Sequence, residues 1–366
     1  MEKVLQTLPS LLTTDDELVQ FNLYLTAGFV GVTLGLFSFI LFSRWRDGYS
    51  MIRRKRAEKH IQDFLTAYIF DEDIVPEATE AFAKKYAKRG VLRQILIENI
   101  VSLHKNLLGE SADKLRYLYR KLGLQQYSKR KLYSSSWHRV AKGISELADM
   151  GMQENSPLIQ NFVNHPHPIL RSEAQVALLK LEPEAPFSFL NELKEPLLDW
   201  QQLQLARAAY KSQFLKIPKF EAWLGSKEES IVIFCLRMIA IYGQRRASDA
   251  ILELLQHPSA KVREEAVVAL RHLETYDAVP MLTSMFANEP TDVQLEILKT
   301  LPAISNQVSI PFYEQVLGLD NRSLQLAAAK AMCQSGQEGK ARMEAIKNDP
   351  EHTLRQLAAS ALSHRS

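Results

Sequence analysis

Val262-Arg263-Glu264-Glu265-Ala266-Val267-Val268-Ala269-Leu270 is the stretch that decides the fold, entered through His257-Pro258-Ser259 and preceded by Ala250-Ile251-Leu252-Glu253-Leu254-Leu255. Val262, Ala266, Ala269 and Leu270 recur at helical spacing, which places them on one side of a helix and leaves Glu264 and Glu265 off it. The preceding apolar run reads as a shorter helix that Pro258 stops. Small alanines on the buried side let a neighbouring helix approach closely.

The same template returns at Leu170–Leu178, Leu324–Met332 and Leu354–Leu362, and less perfectly at Ile231–Ile239 and Val293–Leu301. The anchors 231, 262, 293, 324 and 354 lie 31, 31, 31 and 30 residues apart, and the 61 residues between 170 and 231 leave room for one degenerate copy around Leu198 to Tyr210. One helix pair cannot bury its apolar side alone. A fixed period of this length therefore means stacked pairs, about seven of them across residues 151–366.

The Val-Arg-x-x-Ala-x-x-Ala-Leu helix after an Asp/His-Pro turn resembles the HEAT-like repeats of bacterial proteins, over roughly residues 154–366. The resemblance implies an all-α, right-handed α-solenoid. Proteins with such repeats include scaffolds, regulators, pigment or cofactor lyase accessory proteins and some DNA glycosylases, so the fold alone does not choose among them.

Upstream of the repeats, residues 71–150 read as an N-terminal helical cap, with helices at about 77–88, 91–108, 112–122 and 137–150 punctuated by Pro76, Gly109 and Gly123. Residues 44–70 read as a basic juxtamembrane helix. Before it, no residue from Leu18 to Ser43 is charged, and residues 21–43 are long enough as a helix to span a bilayer. Residues 1–20 are then a short extracytoplasmic N-terminus. Only Lys3 precedes the apolar run, whereas Arg44, Arg46, Arg53, Arg54, Lys55, Arg56 and Lys59 follow it. Lys and Arg resist translocation, so the expected topology is single-pass in an inner membrane, with the N-terminus outside and the C-terminal domain cytoplasmic. Ala27, Gly31 and Gly35 recur every fourth residue, a candidate surface for helix packing or self-association in the membrane.

The formal net charge of +3 hides an asymmetry: residues 44–142 carry 22 Lys/Arg against 11 Asp/Glu, and residues 143–366 carry 22 against 27. The membrane-proximal third is basic, which suits anionic headgroups or an acidic partner. Within it, residues 114–142 hold nine Lys/Arg and no acid, interleaved with tyrosines and Trp137. Lys129, Arg130, Lys131, Trp137 and Arg139 are the candidate contacts there, for a protein partner or lipid; such mixtures also bind nucleic acid, which the net negative repeats disfavour. Arg171, Arg263 and Arg355 share one template position, a candidate ladder along the repeats, although an Arg there can equally bridge neighbouring repeats or cover apolar surface with its stem.

No phosphate-cradling Gly motif, HExxH, CxxC or GxSxG occurs, so no catalytic residue, cofactor or metal is expected. His165-Pro166-His167-Pro168 reads as the turn within a repeat rather than a ligand pair, because His257-Pro258 recurs at the same place. Cys235 and Cys333 lie in apolar helices three repeats apart, too far for a disulfide. The expectation is a membrane-anchored, protein-binding scaffold or regulatory subunit. A HEAT-like nucleic-acid-binding protein or DNA glycosylase-type enzyme is the alternative.

Overall fold

The computed structural model describes residues 17–70, 76–88, 90–212, 217–305 and 310–363. No strand occurs among them. The chain forms two units, residues 1–127 and 128–366.

The first unit is built on α1 (Glu17–Phe70), a single 54-residue helix. The expected membrane helix 21–43 and juxtamembrane helix 44–70 are thus two lengths of one helix. Its stretch Gln20–Arg44 is long and apolar enough to cross a membrane, and none of it is buried. Polar hydroxyls there turn back on the backbone: Thr26 Oγ1 donates to the Asn22 carbonyl at 2.7 Å and Thr33 Oγ1 to that of Phe29 at 2.8 Å. Beyond residue 54 the helix changes character. Ala57, Ile61, Leu65 and Ile69, spaced four apart, are buried, where α1 packs on α3 (Gly90–His104) and α4 (Glu110–Lys121). Between them, α2 (Pro76–Phe82) starts with Pro in its first turn and runs into a π-helical turn at Ala83–Ala87. Phe64 of α1 stacks on Phe82 with ring centroids 3.7 Å apart. The expected extracytoplasmic stretch lies, up to residue 16, outside the described residues, as does the acidic break Asp71-Glu72-Asp73.

The boundary between units falls inside α5 (Leu124–Lys131). Residues 128–150, which the sequence places with the cap, pack instead with the repeats: α6 (Trp137–Asp149) lies on α8 (Pro168–Leu181). Seven helix pairs succeed α6 among the described residues. The first helices are α7 (Ser156–Gln160), short 3-10 turns at Ser188–Glu192 and Phe220–Trp223, α11 (Ser248–Glu253), α13 (Val279–Met285), α15 (Ile310–Leu317) and α17 (Gln337–Asn348). The second helices are α8, α9 (Asp199–Lys211), α10 (Glu229–Tyr242), α12 (Ala260–Leu273), α14 (Thr291–Ile304), α16 (Arg322–Gln334) and α18 (Arg355–Ser363). The degenerate copy expected around Leu198–Tyr210 is α9. Its first helix is reduced to a 3-10 turn.

Second helices pack on one another, α8 on α9, and α10, α12, α14, α16 and α18 in succession, while α9 and α10 are joined by the hydrogen bonds of Gln202 with Arg237 and the Ser230 carbonyl. The template explains why. Positions one and five, Leu170 and Ala174, Ile231 and Cys235, Val262 and Ala266, Val293 and Ile297, Leu324 and Ala328, are all buried. Turns are closed locally: Gly243, at φ 60°, ends α10 in the left-handed region, and Asn321 Oδ1 caps α16 by accepting from the Ser323 and Leu324 amides.

Candidate functional site

The basic-aromatic segment divides into inward and outward residues. Lys131, expected as a contact, is buried: its Nζ lies 2.6 Å from both carboxylate oxygens of Glu146, and Ser128 Oγ donates to the same carboxylate at 2.5 Å. The reason is helical spacing, which turns Lys131 with Ser128 toward α6 while Arg130 turns away. Arg130 and Arg139 are exposed and make no ion pair among the described residues, and Lys129 is half-buried. Trp137, 41% exposed, stacks on His167 with centroids 4.5 Å apart, so its ring bridges to the turn before α8.

Of the template arginines, Arg171 and Arg263 are engaged within the fold. Arg171 is buried and donates through one terminal nitrogen to the carbonyls of His165 at 3.0 Å and Pro166 at 3.1 Å. Arg263 does the same to His257 at 2.7 Å and Pro258 at 3.0 Å, and its other nitrogens hold Glu289 of the next repeat at 2.7 to 3.0 Å. Each His-Pro turn is tightened from within, His165 Nδ1 accepting the His167 amide at 3.0 Å and His257 Nδ1 the Ser259 amide at 3.1 Å. These arginines satisfy turn carbonyls that a helix end leaves open. Arg355 is exposed and donates to the Lys347 carbonyl at 3.3 Å.

A different ladder occupies the outward side of the second helices. Arg237 of α10 pairs with Glu265 of α12, and also reaches Gln202 Oε1 of α9 at 2.9 Å and Asp199 at 3.5 Å. Arg271 of α12 pairs with Glu296 of α14 at 3.0 Å, and Lys299 adds a second cation. Burial and the nearby Glu265, Glu296 and Asp292 carboxylates push the Glu264 carboxyl above its ordinary value. The sequence signal was available, since each acid follows its base by about one repeat, but a ladder at one template position hides pairs that join two. Between α10 and α12 the surface opens into a cleft of about 270 Å³ lined by Leu236, Ala240, Ile241, Val268 and His272, with Arg237 and Glu265 at its edge.

On α9 Asp199 alone joins this ladder among the described residues, and the turns after it differ: Trp200, Leu203, Arg207 and Tyr210 are exposed. That stripe is invisible to a template reading, because the degenerate copy matches the template least. In α1, Ala27 is exposed, and a Cβ on Gly31 or Gly35 would meet nothing within 4 Å, so this small-residue face is open. Cys235 is a free, buried thiol that burial pushes well above its usual range, and Cys333 is free and half-buried. Among the described residues no group of three or more His, Cys, Asp or Glu side chains converges as a metal site would.

Comparison with known proteins adds the fold type. The HEAT-repeat family pattern matches residues 217–294. The structure resembles that of a Kap121p mutant with a TM-score of 0.54 and 12% identity, over 83% of this chain and 39% of that one, so the chain spans about two fifths of that protein's length. Human deoxyhypusine hydroxylase in complex with glycerol aligns at 19% identity over 67% of this chain and 99% of its own, with a TM-score of 0.31, too low to bear on the fold. No curated protein matches the sequence. The chain carries HEAT-type repeats, which generally act as protein-interaction scaffolds.

Proposed function

We propose that this protein is a membrane-anchored scaffold or regulatory subunit, without chemistry of its own, that presents a right-handed stack of HEAT-type helix pairs to a protein partner at the cytoplasmic face of an inner membrane. The observation that carries the reading is the continuity of α1. One helix passes from an uncovered apolar length suited to a bilayer directly into the buried Ala57, Ile61, Leu65 and Ile69 of a folded unit. The repeats supply an extended surface of second helices, the element such proteins use for binding.

Arg130, Arg139, Lys129 and Trp137 add affinity for an acidic partner surface or for anionic headgroups, and Ala27, Gly31 and Gly35 offer a packing face to a second membrane helix. The basic excess after Ser43 sets the N-terminus outside.

Two measurements test this. A reporter fused after Ser366 should be active only in the cytoplasm; activity restricted to the outer side reverses the topology. Capture of protein from detergent-solubilised membranes should weaken when Lys129, Arg130 and Arg139 are reversed in charge, and should weaken with salt above about 0.15 M. Salt-dependent DNA binding with no protein captured would instead favour the nucleic-acid alternative.

A further inference from the structure

We infer that the outward side of α9 is the docking surface for an acidic amphipathic helix of a partner protein, an inference that rests on the scaffold reading above and names the chemistry of its partner. Trp200, Leu203, Arg207 and Tyr210 stand at i, i+3, i+7 and i+10, so they form one stripe along the helix. All three apolar members are exposed: Tyr210 84%, Leu203 52% and Trp200 39%. The opposite side of α9 already buries Gln201, Gln202, Leu205 and Ala209 against its neighbours. The stripe is therefore surplus to the fold.

The neighbouring helices carry a different set of side chains on this side. On α10, α12 and α14 it is occupied by the pairs Arg237–Glu265 and Arg271–Glu296. On α9 only Asp199, in the first turn, still reaches Arg237, and the turns after it carry two aromatic rings, a leucine and an arginine. Arg207 is exposed with no carboxylate partner among the described residues, and the exposed Lys211 follows it by one turn. Trp, Tyr and Arg are the residues that carry most binding energy at protein interfaces. A carboxylate on the partner would meet the Arg207 fork with paired hydrogen bonds, and apolar side chains at i, i+3/i+4 and i+7 would cover Trp200, Leu203 and Tyr210. The stripe is about 15 Å long, three turns of a facing helix. Past Arg237, which touches α9 through Gln202, the α10–α12 cleft beside Ile241 offers a place for one further apolar side chain.

The test places a photo-crosslinking amino acid at Tyr210 in the full-length chain in its native membranes. Tyr276, 68% exposed on the first-helix side of its repeat, serves as control. The expected product joins position 210, and not 276, to a protein segment with Asp or Glu among apolar residues at helical spacing. Arg207→Glu should lower its yield about tenfold, and reversing the mapped carboxylate to Lys should restore it. Crosslinks at 210 to lipid alone, crosslinks to a basic segment, or a yield indifferent to Arg207→Glu would each overturn the inference. The same label at His272 and Trp137 separates the two readings. Protein crosslinks there but not at 210 would sink this surface and leave the scaffold standing, whereas none at any of the three positions would remove both.

Discussion

Glu146, with its side chain 6% exposed, holds Lys131 and Ser128 in a contact closed to water. A charge in such a place tolerates removal of both partners far better than removal of one. Glu146→Ala should therefore cost about 3–5 kcal/mol in chemical denaturation, while Lys131→Met with Glu146→Leu should cost clearly less. Equal losses would mean that water reaches the ion pair. Glu264 makes the opposite case. Its folded carboxyl titrates above the unfolded one, so the fold binds the extra proton and loses stability as pH rises through that folded value. Glu264→Gln should raise the melting temperature at pH 7 and leave it unchanged below about pH 3, well under the unfolded carboxyl's ordinary value, where the group is protonated in both states. A gain that persisted below about pH 3 would assign the effect to packing.

At the scale of elements, what matters is how closely one helix can approach the next. Ala266 is fully buried at the fifth template position, where α12 meets its neighbours. Gly339 at the start of α17 is tighter, because a Cβ there would stand 2.0 Å from the Met332 carbonyl oxygen of α16. Backbone cannot move aside as a flexible side chain can. Ala266→Leu should cost about 1–3 kcal/mol, and Gly339→Ala should be at least as damaging despite adding one carbon. If Gly339→Ala melts with the parent chain, α16 and α17 have room between them for a methyl group. These positions show how legible the repeat was. The 31-residue spacing located α8 to α18 and the turns between them, because small and apolar residues must recur wherever a stack has the same contact. Arg171 and Arg263 share that regularity for a different reason. They recur to tie turns, which spacing cannot distinguish from a binding ladder.

For the molecule as a whole, the place to cut is set by α1. A sequence reading invites removal of everything before residue 71, at the acidic break. That cut would strip Ala57, Ile61, Leu65 and Ile69 from the buried face of the first unit and uncover the sides of α3 and α4 on which α1 packs, apolar surface worth roughly 1.5–3 kcal/mol per large side chain. A fragment beginning at Arg54 should be soluble, helical and cooperative in melting. One beginning at 71 should lose the transition of the first unit while residues 128–366 still fold, since repeats depend on their neighbours. Identical melting of the two fragments would show that α1 adds nothing to the core.

Sequence alone determined the all-helical class, the period, the degenerate copy at α9 and the apolar length of α1, because each depends on spacing along one chain. Tertiary structure decided which way each polar side chain faces. Lys131 and Arg130 are adjacent in sequence, yet one is sealed against Glu146 and the other is open to water. Arg171 and Arg207 are both helical arginines, yet one is spent on its own turn and the other has no carboxylate partner among the described residues. A partner 15 or more residues away is supplied by a neighbouring helix, and burial of a charge depends on that neighbour rather than on any local pattern.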